Sequence, residues 1–157
     1  MAHTFVVPVK SMLNAGVKVV YEADRDTYAW NDLELLLTRK DRRGNVWGPQ
    51  ERVDRSTVLK MATRWAADYV LKGDHLGSLE PGKLADLVVL DRDYMAIRDE
   101  AVSEIRPQVT IFDGKIVFVH PQFAEEYNLR PSRAIVSTYE ELKARRPQGN
   151  SDRGEAL

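Results

Sequence analysis

The residues best suited to chemistry in this chain of 157 form a short acidic stretch, where Glu22, Asp24 and Asp26 occupy alternate positions. In an extended strand alternate side chains point to the same side, so the three carboxylates would share one face. Such a face suits a hard cation such as Mg²⁺ or Ca²⁺. The alternative is a solvated strand end, at which Asp24 caps the next turn or pairs with Arg25 or Arg39. The spacing leaves both interpretations open.

Histidine and cysteine add little to this chemistry. The chain contains no Cys, which excludes disulfides, thiolate metal sites, iron–sulfur clusters and Cys nucleophiles. The three His residues, His3, His75 and His120, are far apart and form no His-x-His or HExxH motif. We expect His75 and His120 to be exposed turn residues and His3 to lie in a mobile terminal segment. Any metal site built by this chain alone is therefore poor in imidazole.

A basic cluster follows the acidic stretch, with Arg39, Lys40, Arg42 and Arg43 close together. These side chains could meet an anionic group of a substrate. The alternative is a solvated helix end, where the helix dipole favours positive charge. Trp47 in the same loop either closes over a pocket or anchors the loop, and the sequence does not separate the two.

Composition narrows the class of protein. Lys and Arg number 23 against 24 Asp and Glu, and 43% of residues are hydrophobic, as in a soluble globular protein. The formal charge of −1 gives no support for nucleic-acid or anionic-membrane binding. No apolar run approaches the roughly 20 residues of a membrane span, and the N-terminus does not resemble a secretory signal. We therefore expect a cytoplasmic protein.

The first half of the chain predicts helices around one buried strand. Residues 9–15 read as a helix end with Gly16 in the cap, and β-branched residues 17–24 as a strand buried on both faces. Asn31 is the expected N-cap of a short helix over 31–39. The clearest helix covers 55–71, with Asp54 as its cap and Gly73 after its end. Its predicted apolar face comprises Val58, Met61, Ala62, Trp65 and Tyr69.

The second half predicts strands and turns. Pro81-Gly82 suits the centre of a type II turn, and residues 87–90 form a strand. After one or two helical turns, residues 109–119 form a hairpin around Asp113-Gly114, a type I′ pair. A short helix is expected over 121–128, and Ser137 with Glu140 has the pattern of a capping box. The polar residues 147–157 are expected to be a disordered tail.

Three of these segments together resemble a known family. Residues 77–91 (GSLEPGKLADLVVLD), with the hairpin after them, resemble the C-terminal part of the metal-dependent amidohydrolase superfamily, and most closely its amidohydrolase-3-like branch. Residues 59–71 (LKMATRWAADYVL) resemble the helix before that part. Residues 15–24 (AGVKVVYEAD) resemble the eighth strand of the family's barrel. The resemblance runs in order over residues 9–120.

The resemblance implies a (β/α)₈ barrel with one or two divalent metals, usually zinc, that activate water to hydrolyse a non-peptide C–N bond. It assigns Asp24 to the strand-eight Asp, which contacts the metal and receives the proton of the attacking water. The family's His-x-His, its bridging Lys or Glu and its two later His ligands have no counterpart here. A barrel takes about 250 residues, and about 70 of this chain would belong to it.

The predicted fold is therefore mixed α/β: the last βα unit of a TIM-type barrel, the C-terminal strands of a small β-sandwich and a helical C-terminal extension. The expected divisions are a partial barrel segment over 1–73, a sandwich segment over 74–120, a helical extension over 121–146 and the tail over 147–157. Lys83 and Asp86 of the signature are expected to be structural, with Asp86 bonding backbone groups at the turn before the strand.

Two hypotheses of function follow. In the first, the chain is the C-terminal portion of an amidohydrolase for a small-molecule substrate. It is inactive alone, a complementary barrel chain supplies the missing barrel, and apolar surface on residues 17–23 and 58–69 is left uncovered in an isolated monomer. In the second, it is a non-catalytic truncated domain that acts in oligomerisation or partner binding and holds no metal.

Overall fold

The computed structural model describes residues 7–23, 29–41 and 43–131. The α-helices are α1 (Val9–Asn14), α2 (Ala29–Thr38), α3 (Arg55–Ala62), α4 (Arg64–Tyr69) and α5 (Pro121–Glu126). The strands are β1 (Leu87–Leu90), β2 (Pro107–Phe112) and β3 (Lys115–Val119), and two 3₁₀ helices span Pro49–Glu51 and Asp99–Glu104. No helix in these described ranges is long and apolar enough to cross a bilayer.

Helices α1–α4 and residues 94–105 share one core, and we call them the helical region. Here α2 packs against the 3₁₀ helix Asp99–Glu104 and against α3. The spacing of Val58 and Met61 along α3 places both on its inner side, as their periodicity predicts. The buried residues of this core are Val9, Leu33, Leu37, Val53, Val58, Met61, Tyr94, Val102 and Ile105.

The three strands form an antiparallel sheet in the order β1-β2-β3, and with α5 they make up the sheet region. Asp113 and Gly114 both have positive φ, 49° and 70°, so the predicted hairpin and its type I′ turn are confirmed. Helix α5 covers part of one face, where Ala124 packs with Val109 and Val119. The strand over 87–90 and the short helix after residue 120 are likewise confirmed.

Two predicted helix signals have the expected geometry. Helix α1 ends at Gly16 (φ 82°), where Gly16 N–H donates to the Leu13 carbonyl and Val17 N–H to the Met12 carbonyl, both at 3.0 Å. These are the two bonds of a Schellman cap. At α3 the Asp54 carboxylate accepts from Thr57 N–H at 3.0 Å, which confirms the N-cap.

The predicted buried strand over 17–24 is wrong for the residues described, because 17–23 belong to no strand and Val17 and Lys18 are exposed. A strand needs a neighbouring strand for its ladder, and the sheet of β1–β3 does not include this segment. It lies instead against α3, where Tyr21 N–H donates to the Met61 carbonyl at 3.1 Å.

The helix predicted over 55–71 is interrupted at Thr63, whose φ and ψ of −127° and −89° are not helical. Gly77 packs against the interruption, and a Cβ there would lie 2.9 Å from Arg64 Cα and 3.0 Å from the Thr63 carbonyl oxygen. The chain after α4 thus approaches the break more closely than a side chain would permit.

Two predicted helix boundaries are also wrong. Helix α2 begins at Ala29, so Asn31 lies inside it and is not its N-cap. Helix α4 ends at Tyr69, and Leu71 (φ 58°) occupies the left-handed cap position expected near Gly73.

Candidate functional site

The proposed catalytic residue Asp24 lies outside the described residues, as do Arg25, Asp26 and Arg42. Of the acidic stretch, only Glu22 is described, and its side chain is exposed. The segment leading to Asp24 is held by Tyr21, whose hydroxyl donates to the Asp32 carboxylate of α2 at 2.9 Å. Together with the backbone bond to Met61, this fixes the residues before Asp24 between α2 and α3.

The metal donors of the described residues do not come together. Across 7–23, 29–41 and 43–131, no group of three or more His, Cys, Asp or Glu side chains could hold a metal ion. His75 is exposed, as expected. His120 is half-buried as the N-cap residue of α5, and its buried Nδ1 has no hydrogen-bond partner among the described residues. The expectation of an exposed His120 is therefore wrong.

Two residues of the basic cluster hold the loop after α2 through contacts with other parts of the chain. Arg39 is only 5% exposed, and its Nε donates to the Trp47 carbonyl at 3.0 Å. Lys40 Nζ lies 2.9 Å from Glu100 of the second 3₁₀ helix. Arg43 is exposed, and Arg42 is not described. Arg39 thus serves an internal contact, whereas Lys40 forms an exposed ion pair just after α2, in keeping with a solvated helix end; anion binding by the cluster stays a prediction.

Trp47 is an anchor of its loop. Its Nε1 donates to Asp41 Oδ2 at 2.9 Å, and Asn45 Nδ2 donates to the same oxygen at 2.9 Å. The other Asp41 oxygen accepts from the backbone N–H of Arg43 at 2.8 Å. These hydrogen bonds, the one from Trp47 first, hold the pKa of Asp41 far below its usual value. The Asp41 carboxylate therefore organises the loop through these hydrogen bonds.

The family-like segment 77–91 joins the helical region to the sheet region, and Lys83 is its centre. The Lys83 side chain is 11% exposed. Its ammonium donates to the Gly73 carbonyl at 2.6 Å, to Ser78 Oγ at 2.7 Å and to the Leu76 carbonyl at 3.4 Å. An ammonium carries three donors, and here they close the loop that follows α4. Lys83 is structural, as the sequence predicts.

The rest of this segment also positions backbone. Lys83 N–H donates to the Glu80 carbonyl at 3.2 Å and Gly82 has φ 90°, which confirms the predicted turn. Asp86 Oδ1 accepts from Asp113 N–H at 2.7 Å. Asp86 thus bonds backbone as expected, but at the hairpin tip 27 residues away. The signature therefore encodes a junction between two regions.

A buried carboxylate that the sequence did not single out lies at the start of α1. Glu51 is almost completely buried and accepts from Ser11 N–H at 2.8 Å and from Ser11 Oγ at 2.5 Å. These bonds, the hydroxyl bond first, lower the pKa of Glu51. Because the two residues are 40 positions apart, no local pattern could have revealed this cap.

Known proteins resemble most of the chain. A family model described as the amidohydrolase family matches residues 2–118. N-substituted formamide deformylase of Arthrobacter pascens is 34% identical over 115 residues, which cover 71% of this chain and 21% of that protein. A 5-methylthioadenosine/S-adenosylhomocysteine deaminase of Thermodesulfovibrio yellowstonii is 36% identical over 90 residues, which cover 55% of this chain and 20% of that protein. The chain thus spans about a fifth of the length of these curated relatives.

Solved structures share the fold of the described residues. An amidohydrolase from Thermotoga maritima MSB8 superposes with a TM-score of 0.53 at 22% identity, over 71% of this chain and 26% of that one. Atrazine chlorohydrolase TrzN from Arthrobacter aurescens TC1, complexed with zinc, gives a TM-score of 0.52 at 21% identity, over 88% and 31% respectively. At such identities the likeness concerns the fold alone.

Proposed function

Because this chain belongs to the amidohydrolase family, we propose that it is the C-terminal portion of a hydrolase that cleaves carbon–nitrogen bonds other than peptide bonds and that it is inactive alone. The observation that carries the proposal is the family match over residues 2–118 in a chain that spans a fifth of its relatives. The names of those relatives, a deformylase of N-substituted formamides and a deaminase, describe chemistry at such bonds. The substrate is accordingly a small molecule, and the compartment we propose is the cytoplasm.

A divalent metal, zinc first, is the cofactor we propose for the complete enzyme, since one fold neighbour is complexed with zinc. The donor set of the described residues does not fit such a centre. We propose that Asp24, in the position of the family's strand-eight Asp, contributes one carboxylate to a centre that other barrel segments complete. The complement is a second polypeptide or another part of the same protein.

Metal analysis of the tag-free chain tests the claim that it is inactive alone. We expect much less than one equivalent of zinc or another transition metal per chain, because one Asp without imidazole ligands holds zinc poorly. One equivalent of metal that Asp24→Asn removes would show a complete site and contradict this part of the proposal.

A chimaera tests the hydrolase assignment. The segment of the Arthrobacter pascens deformylase that matches this chain is replaced by residues 1–120, and hydrolysis of an N-substituted formamide is assayed. We expect activity that Asp24→Asn abolishes and that Glu22→Gln leaves largely intact. A folded, metal-loaded chimaera that is inactive would contradict the hydrolase assignment, and an Asp24→Asn chimaera that is fully active would refute the role of Asp24.

The exposed sheet supports the second candidate function, association through an apolar surface. Val88, Phe112, Ile116 and Val117 all expose apolar side chains on the sheet. Of the apolar surface expected on residues 17–23 and 58–69, Val17 and Tyr69 are exposed, whereas Val58 and Met61 on α3 are buried. The register pairs Ile116 with Ile111, the neighbour of Phe112, so the exposed apolar side chains lie on both faces of the sheet, where either face could meet a partner. Sedimentation at several concentrations tests association, and Phe112→Glu with Ile116→Glu is expected to abolish it; a monomer at every concentration would contradict this candidate.

A further inference from the structure

An open cavity of about 440 Å³ lies at the surface of the helical region, where α1 ends and α3 begins. Its volume falls in the usual range for small-molecule sites. The wall contains the apolar side chains of Leu13, Val53 and Trp65, of which Val53 is buried and the other two are half-buried. A ligand with an apolar body would therefore remove apolar surface from water on both partners.

Positive charge gathers at the same cavity. Among the described residues, the basic side chains that line it are Lys10, Lys18 and Arg52, and the acidic one is Asp54. The Asp54 carboxylate already accepts from Ser56 Oγ at 2.8 Å and from Thr57 N–H at 3.0 Å, so it is committed to the start of α3. Lys18 pairs with Asp68 at 2.8 Å. Neither Lys10 nor Arg52 pairs with a carboxylate of the described residues, so both cations can meet an anionic group of a ligand.

The Arg52 guanidinium has hydrogen-bond donors that are available to a ligand. Its Nε donates to the Thr38 carbonyl at 3.2 Å, which ties the base of the guanidinium to the end of α2. Its two Nη groups make no hydrogen bond to the part of the chain that the structure describes. A guanidinium held at one nitrogen, with its other donors available, matches the two oxygens of a carboxylate.

We infer that this cavity binds a small organic carboxylate with an apolar body, such as an arylacetate. Arg52 and Lys10 receive the carboxylate, and Trp65 with Leu13 and Val53 receives the apolar body. The inference does not rest on the proposed hydrolysis, and it is tested by binding alone.

Phenylacetate is the probe, and the ¹⁵N-labelled full chain is the sample. Each of the three Trp residues gives one indole N–H signal, and Trp65→Phe identifies the signal from the cavity. We expect phenylacetate to shift the Trp65 signal saturably and to leave the Trp47 signal in place. Phenylacetamide, which has the same body without the charge, should bind about tenfold more weakly. Inorganic phosphate, which has the charge without the body, should not shift the Trp65 signal.

Matched variants test the guanidinium. Arg52→Gln should weaken phenylacetate binding about tenfold, while Arg98→Gln, the same charge change at an exposed arginine outside the cavity, should leave it unchanged. Lys10→Gln is the second variant should Arg52→Gln not fold. The inference is overturned by an unmoved Trp65 signal up to the solubility limit, by equal binding of the acid and the amide, by an equal response to phosphate, or by an equal loss in Arg98→Gln.

Discussion

The helical region and the sheet region differ in how completely their apolar side chains are buried. In the helical region, side chains from α2, α3 and residues 94–105 close over one another, and Val58, Val102 and Ile105 are fully buried. In the sheet region, α5 covers a single small cluster, while Phe112, Ile116 and Val117 stay largely exposed. The difference shows where stability arises. Burial of apolar side chains stabilises the helical region, whereas the sheet leaves much of its apolar surface exposed to solvent and gains less stability from it.

Two isoleucines provide the largest expected contrast. Ile105 is 0% exposed in the helical core, and Ile116 is 56% exposed on β3. Ile105→Ala should lower the free energy of unfolding by about 3 kcal/mol, because it removes buried methyl groups and leaves a cavity. Ile116→Ala should lower it by less than about 1 kcal/mol, the scale of a cross-strand pair. Urea unfolding with an unchanged m value measures both. Equal losses would mean that the sheet is as well covered as the helical core.

The junction between the two regions is the next place to test. Lys83→Met keeps the length of the side chain but leaves the Gly73 carbonyl and the Ser78 hydroxyl without their charged donor. We expect a loss of about 2 kcal/mol, the scale of hydrogen bonds to charged groups. Lys72→Met, the same change at an exposed lysine after α4, is the control and should cost little. Equal losses of unfolding free energy in the two variants would show that the hydrogen bonds of Lys83 do not stabilise the junction.

The cap of α3 makes the helical region sensitive to acid. Hydrogen bonds from Thr57 and Ser56 hold the pKa of Asp54 below its usual value. Because the folded pKa is the lower one, this stabilisation is present above the ordinary pKa of about 4 and is lost as pH falls through the folded pKa. Asp54→Ala should cost about 1 kcal/mol at neutral pH.

Asp54→Asn separates the cap from its charge. Asn is as good an N-cap as Asp, so neutral stability should change little. Stability should then fall less steeply on acidification than in the parent chain, because one titrating group is gone. Thermal unfolding from neutral pH down to about pH 3, below the ordinary Asp pKa, measures this slope. An unchanged slope would show that Asp54 is not ionised more readily in the folded chain.

The same contrast separates what the sequence could predict from what it could not. The Asp54 cap, the Pro81-Gly82 turn and the Asp113-Gly114 hairpin depend on residues a few positions apart, and all three were predicted. The interruption at Thr63, by contrast, was not predicted, and it lies against Gly77 from beyond α4. The Glu51 cap depends on Ser11, at a distance of 40 residues. Long-range contacts such as these leave no local periodicity to read.

The candidate site shows the same limit. The assignment of Asp24 rests on likeness to a family, because one acid after an apolar segment has no distinctive pattern. Segment 17–23 has the residue types of a buried strand, yet residue types cannot supply a neighbouring strand. The cavity between the end of α1 and the start of α3 was not predicted, because α1 and the residues around Arg52 and Trp65 meet only in the folded chain.

The end of α4 offers the smallest expected effect and the one with the opposite sign. Leu71 is 90% exposed and holds the left-handed conformation (φ 58°) that a Schellman cap usually gives to glycine. Leu71→Gly relieves that strain and loses little burial, but it also gives the unfolded chain more freedom. We expect a net gain of about 0.5 kcal/mol, since the relief of about 1 kcal/mol exceeds the entropic cost. Val70→Gly, one residue earlier at φ −86°, has no strain to relieve and should destabilise. A loss of stability in Leu71→Gly would mean that an apolar partner covers Leu71 in solution. The helical region would then, like the sheet, have apolar surface that a partner covers.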